Sequence, residues 1–150
     1  TGAMGRDAGQ RHDPGGPDVR NTGILLATKE AIMDEFVILL PDDEAAWERL
    51  GPAGQEAVYE QHREFARRLE EGGHVLAGGA ELDPSRTAKT VRRVAGRTIV
   101  SDGPPTDAAE QLSGFYLVQT ADPEGLVQAC SLLAAGSPGE IRRVARHDTD

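Results

Sequence analysis

The feature that most constrains the fold is a continuous apolar run, FVILL at residues 36–40, which is stopped by Pro41-Asp42-Asp43. A run of this kind between turn residues is typical of a β-strand that is covered on both faces. Such a strand needs neighbouring strands in its sheet and an apolar layer against each side. The chain is therefore expected to fold around a sheet with apolar residues on both faces.

Two segments have the spacing of amphipathic helices. The first begins at Gly51-Pro52, because glycine is tolerated at the N-cap and proline is favoured at the first helical position, and it ends at Gly72-Gly73. The second begins at Asp122-Pro123 and ends at Gly136. A short turn of helix is also expected at residues 44–50. The two apolar stripes consist of Val58, His62, Phe65 and Leu69, and of Leu126, Ala129, Cys130 and Leu133.

The remaining apolar runs predict strands at residues 74–82, 114–120 and 140–145, and a hairpin at 89–94 and 98–101. The predicted fold class is α+β, a ferredoxin-like βαββαβ arrangement with an inserted β-hairpin. Two helices cover only one face of such a sheet. Since the other face is also apolar, we expect it to be an interaction surface. A homodimer through the sheet face is the simplest way to cover it.

Composition narrows the possible functions. The formal net charge is -9, which repels phosphate backbones and argues against nucleic-acid binding. No stretch approaches the roughly 20 apolar residues that a membrane span needs. The lone Cys130 excludes an internal disulfide and fits a cytoplasmic location, and no Cys/His cluster has zinc spacing, so no cofactor or metal is expected.

The ends of the chain are expected to lie outside the domain. Residues 1–32 are polar and Gly-rich at the start and predict an N-terminal tail or extension, partly a tag or weakly ordered. Within them, residues 23–28 are apolar and could form an extra edge strand or a swapped arm. Residues 148–150 are expected to be a C-terminal tail. The predicted domain spans residues 33–147.

Several ordered motifs resemble those of the YCII-related, or DGPF, family. DGPP at residues 102–105 and EQLSGFYL at 110–117 are similar to its signature, and residues 65–82 resemble its helix and Gly-rich strand. TVR at residues 90–92 and IRRV at 141–144 resemble the family's hairpin and its final strand, and all these motifs occur in the family's order. Pro105 and Ala109 depart from the Phe and Lys that are usual in the signature loop. The resemblance implies a dimeric α/β barrel, and some relatives are small lyases or dehalogenating enzymes that use a His and an Asp.

His62 and Asp102 are the candidate catalytic residues. A histidine on an apolar helix stripe needs a polar partner, and the position of His62 before Gly73 is similar to that of the proposed active-site histidine in YCII-like relatives. It could act as a general acid or base. Asp102 could orient its imidazole, within about 3.5 Å. The alternatives are a histidine bonded to a backbone carbonyl and an aspartate that only shapes a turn.

Tyr116, Arg92 and Arg142 are candidate ligand-binding residues, since arginine holds anions well. The alternative for both arginines is pairing with surface acids. His74 and His147 are expected at the surface, Trp47 is expected to pack a short helix onto the sheet, and Cys130 is expected to be a buried thiol.

Three functions follow from these candidates. One is binding of a small ligand, which could be anionic, in a cleft near His62 without a reaction. Another is a cofactor-independent lyase or isomerase that uses the pair of His62 and Asp102. The last, which rests on family association alone, is regulation of an extracytoplasmic-function sigma factor.

Overall fold

A computed structural model of the protein describes residues 33–147. In this part of the chain the helices and strands are β1 (Asp34–Asp43), α1 (Glu44–Glu71), β2 (Val75–Glu81), β3 (Lys89–Val94), β4 (Arg97–Asp102), β5 (Glu110–Thr120), α2 (Pro123–Cys130) and β6 (Glu140–Arg143). Short 3-10 turns lie at Ser85–Thr87 and Ser131–Leu133. The predicted order of elements is confirmed. The predictions for residues 1–32, including the strand or arm at 23–28, and for 148–150 lie outside the described residues.

The sheet has the strand order β2-β5-β1-β6 with antiparallel neighbours, and β3 pairs with β4 in a separate hairpin. This order and the two crossover helices are those of a ferredoxin-like α+β fold, as predicted. β1 pairs with β5 from Asp34↔Thr120 to Asp43↔Glu110, with one register shift between Leu40 and Pro41. The turn of the hairpin uses Ala95 (φ 50°) and Gly96 (φ 78°), the left-handed pair that tight hairpins favour.

The first helix consists of two segments that meet at Gly51. Asp43 caps its start by accepting a hydrogen bond from the Ala46 amide at 3.1 Å. Gly51 has φ 68° and ψ 178°, outside the helical region, and Pro52 begins the second segment. The expected short turn and long helix are therefore both present, joined at a kink. Neither helix of the described part is long and apolar enough to cross a membrane.

One face of the sheet packs against both helices and forms the core. Phe36, Ile38 and Val118 of the sheet meet Phe65 and Leu69 of α1 and Leu126 and Ala129 of α2. Phe65, Leu69, Val118 and Leu126 are completely buried, and each such residue stabilises the fold by about 1.5–3 kcal/mol through the hydrophobic effect.

His74, expected at the surface, is buried, with 6% of its surface exposed. Its Nδ1 atom hydrogen-bonds to Thr120 Oγ1 at 2.7 Å, which satisfies both polar groups at the edge of the core. The expectation was wrong because the partner comes from another strand.

The opposite face of the sheet, which we call the open face, is made by alternate residues of the same strands. Val37 pairs with Leu117, and Leu39 pairs with Phe115. These four side chains are partly exposed and do not belong to the core cluster formed with the helices. Among the described residues, the apolar side chains of β1 are therefore buried on one face only.

Candidate functional site

A cavity of about 560 Å³ lies where the covered face of the sheet meets the first half of α1. Its walls come from α1, from the ends of β1 and β2, from the beginning of β5, and from the segment that follows β2. The helix contributes Trp47, Tyr59 and His62, and the strands contribute Glu81 and Tyr116. Aromatic rings and polar groups therefore converge on one concave space, as in many small-molecule sites.

His62 forms the polar centre of this cavity. It lies on the sheet-facing stripe of α1, three residues before Phe65, and its Nδ1 atom is 2.7 Å from the hydroxyl of Tyr116. Burial lowers the pKa of the His62 imidazole below its usual range, and the nearby Glu81 carboxylate partly opposes this shift. Near neutral pH the imidazole is therefore uncharged and can accept a proton.

Two glycines allow β2 and β5 to come close together next to Tyr116. A Cβ atom at Gly79 would lie 2.6 Å from the Phe115 carbonyl oxygen and 2.9 Å from the Tyr116 ring. A Cβ atom at Gly114 would lie 2.8 Å from the Ala80 carbonyl oxygen. Burial, and then the Glu81 charge, raise the pKa of the Tyr116 hydroxyl. The phenol is therefore neutral and available as a hydrogen-bond partner.

A second polar pair lies closer to the mouth of the cavity. The Tyr59 hydroxyl donates a hydrogen bond to Glu81 Oε1 at 2.8 Å. This bond to the carboxylate, followed by burial, raises the pKa of Tyr59. The ring of Tyr59 also meets Trp47 edge to face, with centroids 5.5 Å apart. The Glu81 carboxylate is thus held beside the aromatic rings of Tyr59 and Trp47.

Among residues 33–147, the charged side chains that line the cavity are all acidic: Asp42, Glu44, Glu48, Glu81 and Asp83. None of the lining residues in this part of the chain is Lys or Arg. Within residues 33–147, none of these five carboxylates is in an ion pair. The cavity is therefore an electronegative space.

Comparison with known proteins agrees with this fold and order of motifs. A family model, the YCII-related domain, matches residues 34–146. The chain belongs to the YCII-related family. An uncharacterised protein of Rhizobium meliloti (strain 1021) is 32% identical to it over 114 residues, which cover 73% of this chain and 91% of that protein.

In this YCII-related domain the predicted partner of His62 is elsewhere. Asp102 ends β4, does not line the cavity, and forms an ion pair with Lys89 across the hairpin. Its side chain is 81% exposed. In the described part of the chain the expected contact between His62 and Asp102 is absent, and the hydrogen-bond partner of His62 is Tyr116. The reason is that β3 and β4 pair only with each other, so Asp102 belongs to a separate hairpin and not to the four-stranded sheet beside His62.

Of the three predicted ligand-binding residues, only Tyr116 lines the cavity. Arg92 donates a hydrogen bond to the Pro105 carbonyl oxygen at 3.1 Å, and Arg142 pairs with Glu140 at 2.6 Å on β6. Arg142 therefore follows the alternative of pairing with a surface acid, whereas Arg92 bonds a backbone carbonyl, and neither arginine lines the cavity. The geometry of the YCII-related domain thus does not support an anion site built from them.

Sequence reasoning missed Tyr59 and Glu81 and gave Trp47 a packing role. One local signal was available, since Tyr59 and His62 are three apart on a helix and so are neighbours on its surface. No local signal identified Glu81. It faces α1 because the β2–β5 register, shifted between Leu76 and Gly78, sets which side chains of β2 point toward the helix.

Two other chemistries have little support in the described part of the YCII-related domain. Cys130 lies on α2 away from the cavity, and burial raises the pKa of its thiol to about 11, so the thiolate needed for nucleophilic attack is scarce near neutral pH. Residues 33–147 also contain no group of three or more His, Cys, Asp or Glu side chains arranged to hold a metal ion.

Proposed function

We propose that this YCII-related domain binds a small organic molecule in the cavity beside His62. The observation that carries the proposal is the hydrogen-bonded pair of His62 and Tyr116 in the wall of a cavity of about 560 Å³. Small-molecule sites are typically concave, largely apolar and aromatic, with a few convergent polar groups whose pKa values are perturbed. The pKa values of His62, Tyr59 and Tyr116 are all shifted.

The single tryptophan makes this proposal testable, because Trp47 lines the cavity. Titration with 2-phenylethanol or cyclohexanol, followed by Trp47 fluorescence excited at 295 nm, is expected to give a saturable change. Val58→Phe places a ring in the cavity and is expected to weaken binding by tenfold or more. Val127→Phe on α2 is the matched control, since Val127 is 52% exposed and outside the cavity. Equal binding by both variants, or no saturable change with any neutral or charged probe of this size, would refute the proposal.

We also propose that the protein is a homodimer through the open face. The support is the apolar character of that face, where Val37 and Leu39 of β1 pair with Leu117 and Phe115 of β5. An exposed apolar patch of this kind marks an interaction surface, and a second copy of the same patch covers it by a twofold axis.

A second candidate function is proton transfer in a lyase or isomerase. It is favoured by the uncharged His62 imidazole: in the tautomer whose Nδ1–H donates to the Tyr116 hydroxyl oxygen, Nε2 keeps the free lone pair that takes a proton from carbon. The test is exchange of the α-protons of phenylacetaldehyde in D2O, followed by NMR. Exchange faster than in buffer, and lost in His62→Gln but kept in His147→Gln, is expected for an enzyme. Identical exchange rates in buffer, wild type and both variants would exclude this reaction for phenylacetaldehyde. Ligand binding without a reaction would then be the remaining proposal.

A further inference from the structure

We infer that the molecule recognised by the cavity is an organic cation, an ammonium group carried on an apolar or aromatic body. This inference rests on the proposed binding function and adds the sign of the ligand's charge. It reverses the expectation of an anionic ligand, which depended on Arg92 and Arg142.

The charge of the cavity wall is the first argument. The lining acids come from two separate parts of the chain, residues 42–48 and 81–83, and α1 and β2 bring them to one space. Since none of the lining residues between 33 and 147 is Lys or Arg, these carboxylates give the space a negative potential that no described side chain of the wall offsets. An anion entering it would be repelled from several directions, whereas a cation would gain from each carboxylate.

The partners of these acids are the second argument. Glu44 Oε1 accepts a hydrogen bond from the Ser85 amide at 2.9 Å, and Glu81 accepts one from the Tyr59 hydroxyl. These donors are neutral, so they orient the carboxylates without cancelling their charge.

The outer surface of the same helix shows the contrast. There Glu60 and Glu64 are paired with Arg63 and Arg67 at 2.6–3.1 Å. The acids on this part of the helix surface are thus paired with neighbouring arginines, while within residues 33–147 those in the cavity wall have no such partner.

The aromatic residues are the third argument. Trp47 and Tyr59 meet edge to face beside Glu81, and the faces of such rings attract cations by roughly 0.5–2 kcal/mol. His62 adds no opposing positive charge, because burial lowers its pKa. Since residues 33–147 hold no cluster with metal-ligand spacing, the wall is better suited to an ammonium group with a hydrocarbon body than to a bare metal ion.

Three probes of similar size separate charge from shape: 2-phenylethylammonium, 2-phenylethanol and 3-phenylpropanoate. Binding to the full chain is measured by Trp47 fluorescence and by isothermal titration calorimetry at low ionic strength, where screening is weak. The ammonium probe is expected to bind at least tenfold more tightly than the alcohol, and the carboxylate most weakly. Raising the salt concentration is expected to reduce the difference in affinity between the ammonium probe and the alcohol.

The matched variants are Glu81→Gln and Glu124→Gln. Both remove one charge, but Glu81 lines the cavity and Glu124 lies at the exposed start of α2. One unit charge at about 4 Å in water corresponds to a change of roughly fivefold in affinity. We therefore expect Glu81→Gln to weaken binding of the ammonium probe by about that factor and to leave the affinity for the alcohol unchanged. Glu124→Gln is expected to change neither affinity.

The outcomes separate the two proposals. If the alcohol or the carboxylate binds as tightly as the ammonium, the cavity is a binding site but the inferred cation preference is wrong. If Glu81→Gln and Glu124→Gln weaken the ammonium equally, its affinity reflects the overall charge of the protein and the inference is again wrong. If none of the three probes changes Trp47 fluorescence or releases heat, both the binding function and the inference are refuted.

Discussion

The two faces of the main sheet are built from the same strands and differ in what covers them. On one face Phe36, Ile38 and Val118 are buried under the helices. One residue further along, Val37 and Leu117 are equally apolar but remain partly exposed. A strand that is apolar on both faces therefore indicates two separate packing partners: the chain's own helices on one side, and on the other a partner that we propose to be a second copy.

The comparison also explains the position of the cavity. Near the beginning of β5, around Gly114, the covered face no longer carries the apolar core. Tyr116, His62 and the acids of the cavity wall lie there instead. The same face thus carries both the core and the site. The four predictions below test the division between the two faces, from the largest expected effect to the smallest.

The largest effect is expected from truncating a buried aromatic side chain. Phe65 is completely buried between α1 and the sheet, so Phe65→Ala is expected to reduce the free energy of unfolding by about 3–5 kcal/mol. Phe115→Ala on the open face is the matched change and is expected to cost markedly less for a dilute single subunit. Urea denaturation at low protein concentration measures both. Equal losses would show that the two faces are packed alike.

This division could be predicted from the sequence in part. The apolar stripe of α1, the Gly-Pro start of its second segment and the alternation in β5 are local signals, and each led to the correct element. The contact between His62 and Tyr116 is not local: it joins α1 to β5, which are 54 residues apart at this point and meet only in the folded domain. For the same reason the burial of His74 against Thr120 was missed.

The second prediction concerns the proposed homodimer. Leu117→Lys introduces a charge at the centre of the open face, where desolvating it is costly, and is expected to weaken self-association by about 100-fold or more. Sedimentation equilibrium across micromolar concentrations measures the change. Val127→Lys on the exposed side of α2 is the control and is expected to leave association unaltered. A wild type that is monomeric throughout this range would contradict the proposed dimer.

The third prediction concerns the close approach of β2 and β5. A methyl group at Gly79 would lie 2.6 Å from the Phe115 carbonyl oxygen, so Gly79→Ala forces the backbones apart and is expected to cost about 1–3 kcal/mol. Gly136→Ala is the control, because its new methyl group meets no atom within 4 Å. That change is expected to be near neutral in stability.

Gly79→Ala is also expected to disturb the bond between Tyr116 and His62. The His62 ring resonances in NMR spectra would report this, with Gly136→Ala again as the control. Unchanged resonances and unchanged stability in Gly79→Ala would show that the glycine is not what allows Tyr116 to reach the helix.

The smallest effect is expected from the protonation of His62. Burial makes its pKa lower in the folded protein than in the unfolded chain, where it is about 6.5. As the pH falls below that value the unfolded state binds the proton first, so the stability contributed by the neutral imidazole is present above about pH 6.5 and is lost as the pH falls through the folded-state pKa. One proton changes the free energy of unfolding by at most about 1.4 kcal/mol per pH unit.

His62→Gln removes this titrating group, so its stability is expected to fall less steeply than that of the wild type between pH 7.5 and 5.5. Urea denaturation at several pH values measures the difference. His147→Gln, at an exposed position outside the cavity, is expected to retain the slope of the wild type. Parallel curves for all three proteins would mean that the imidazole is as easily protonated in the folded state as in the unfolded chain. The covered face would then be open to water at this point, and the contrast between the two faces would not extend to the cavity.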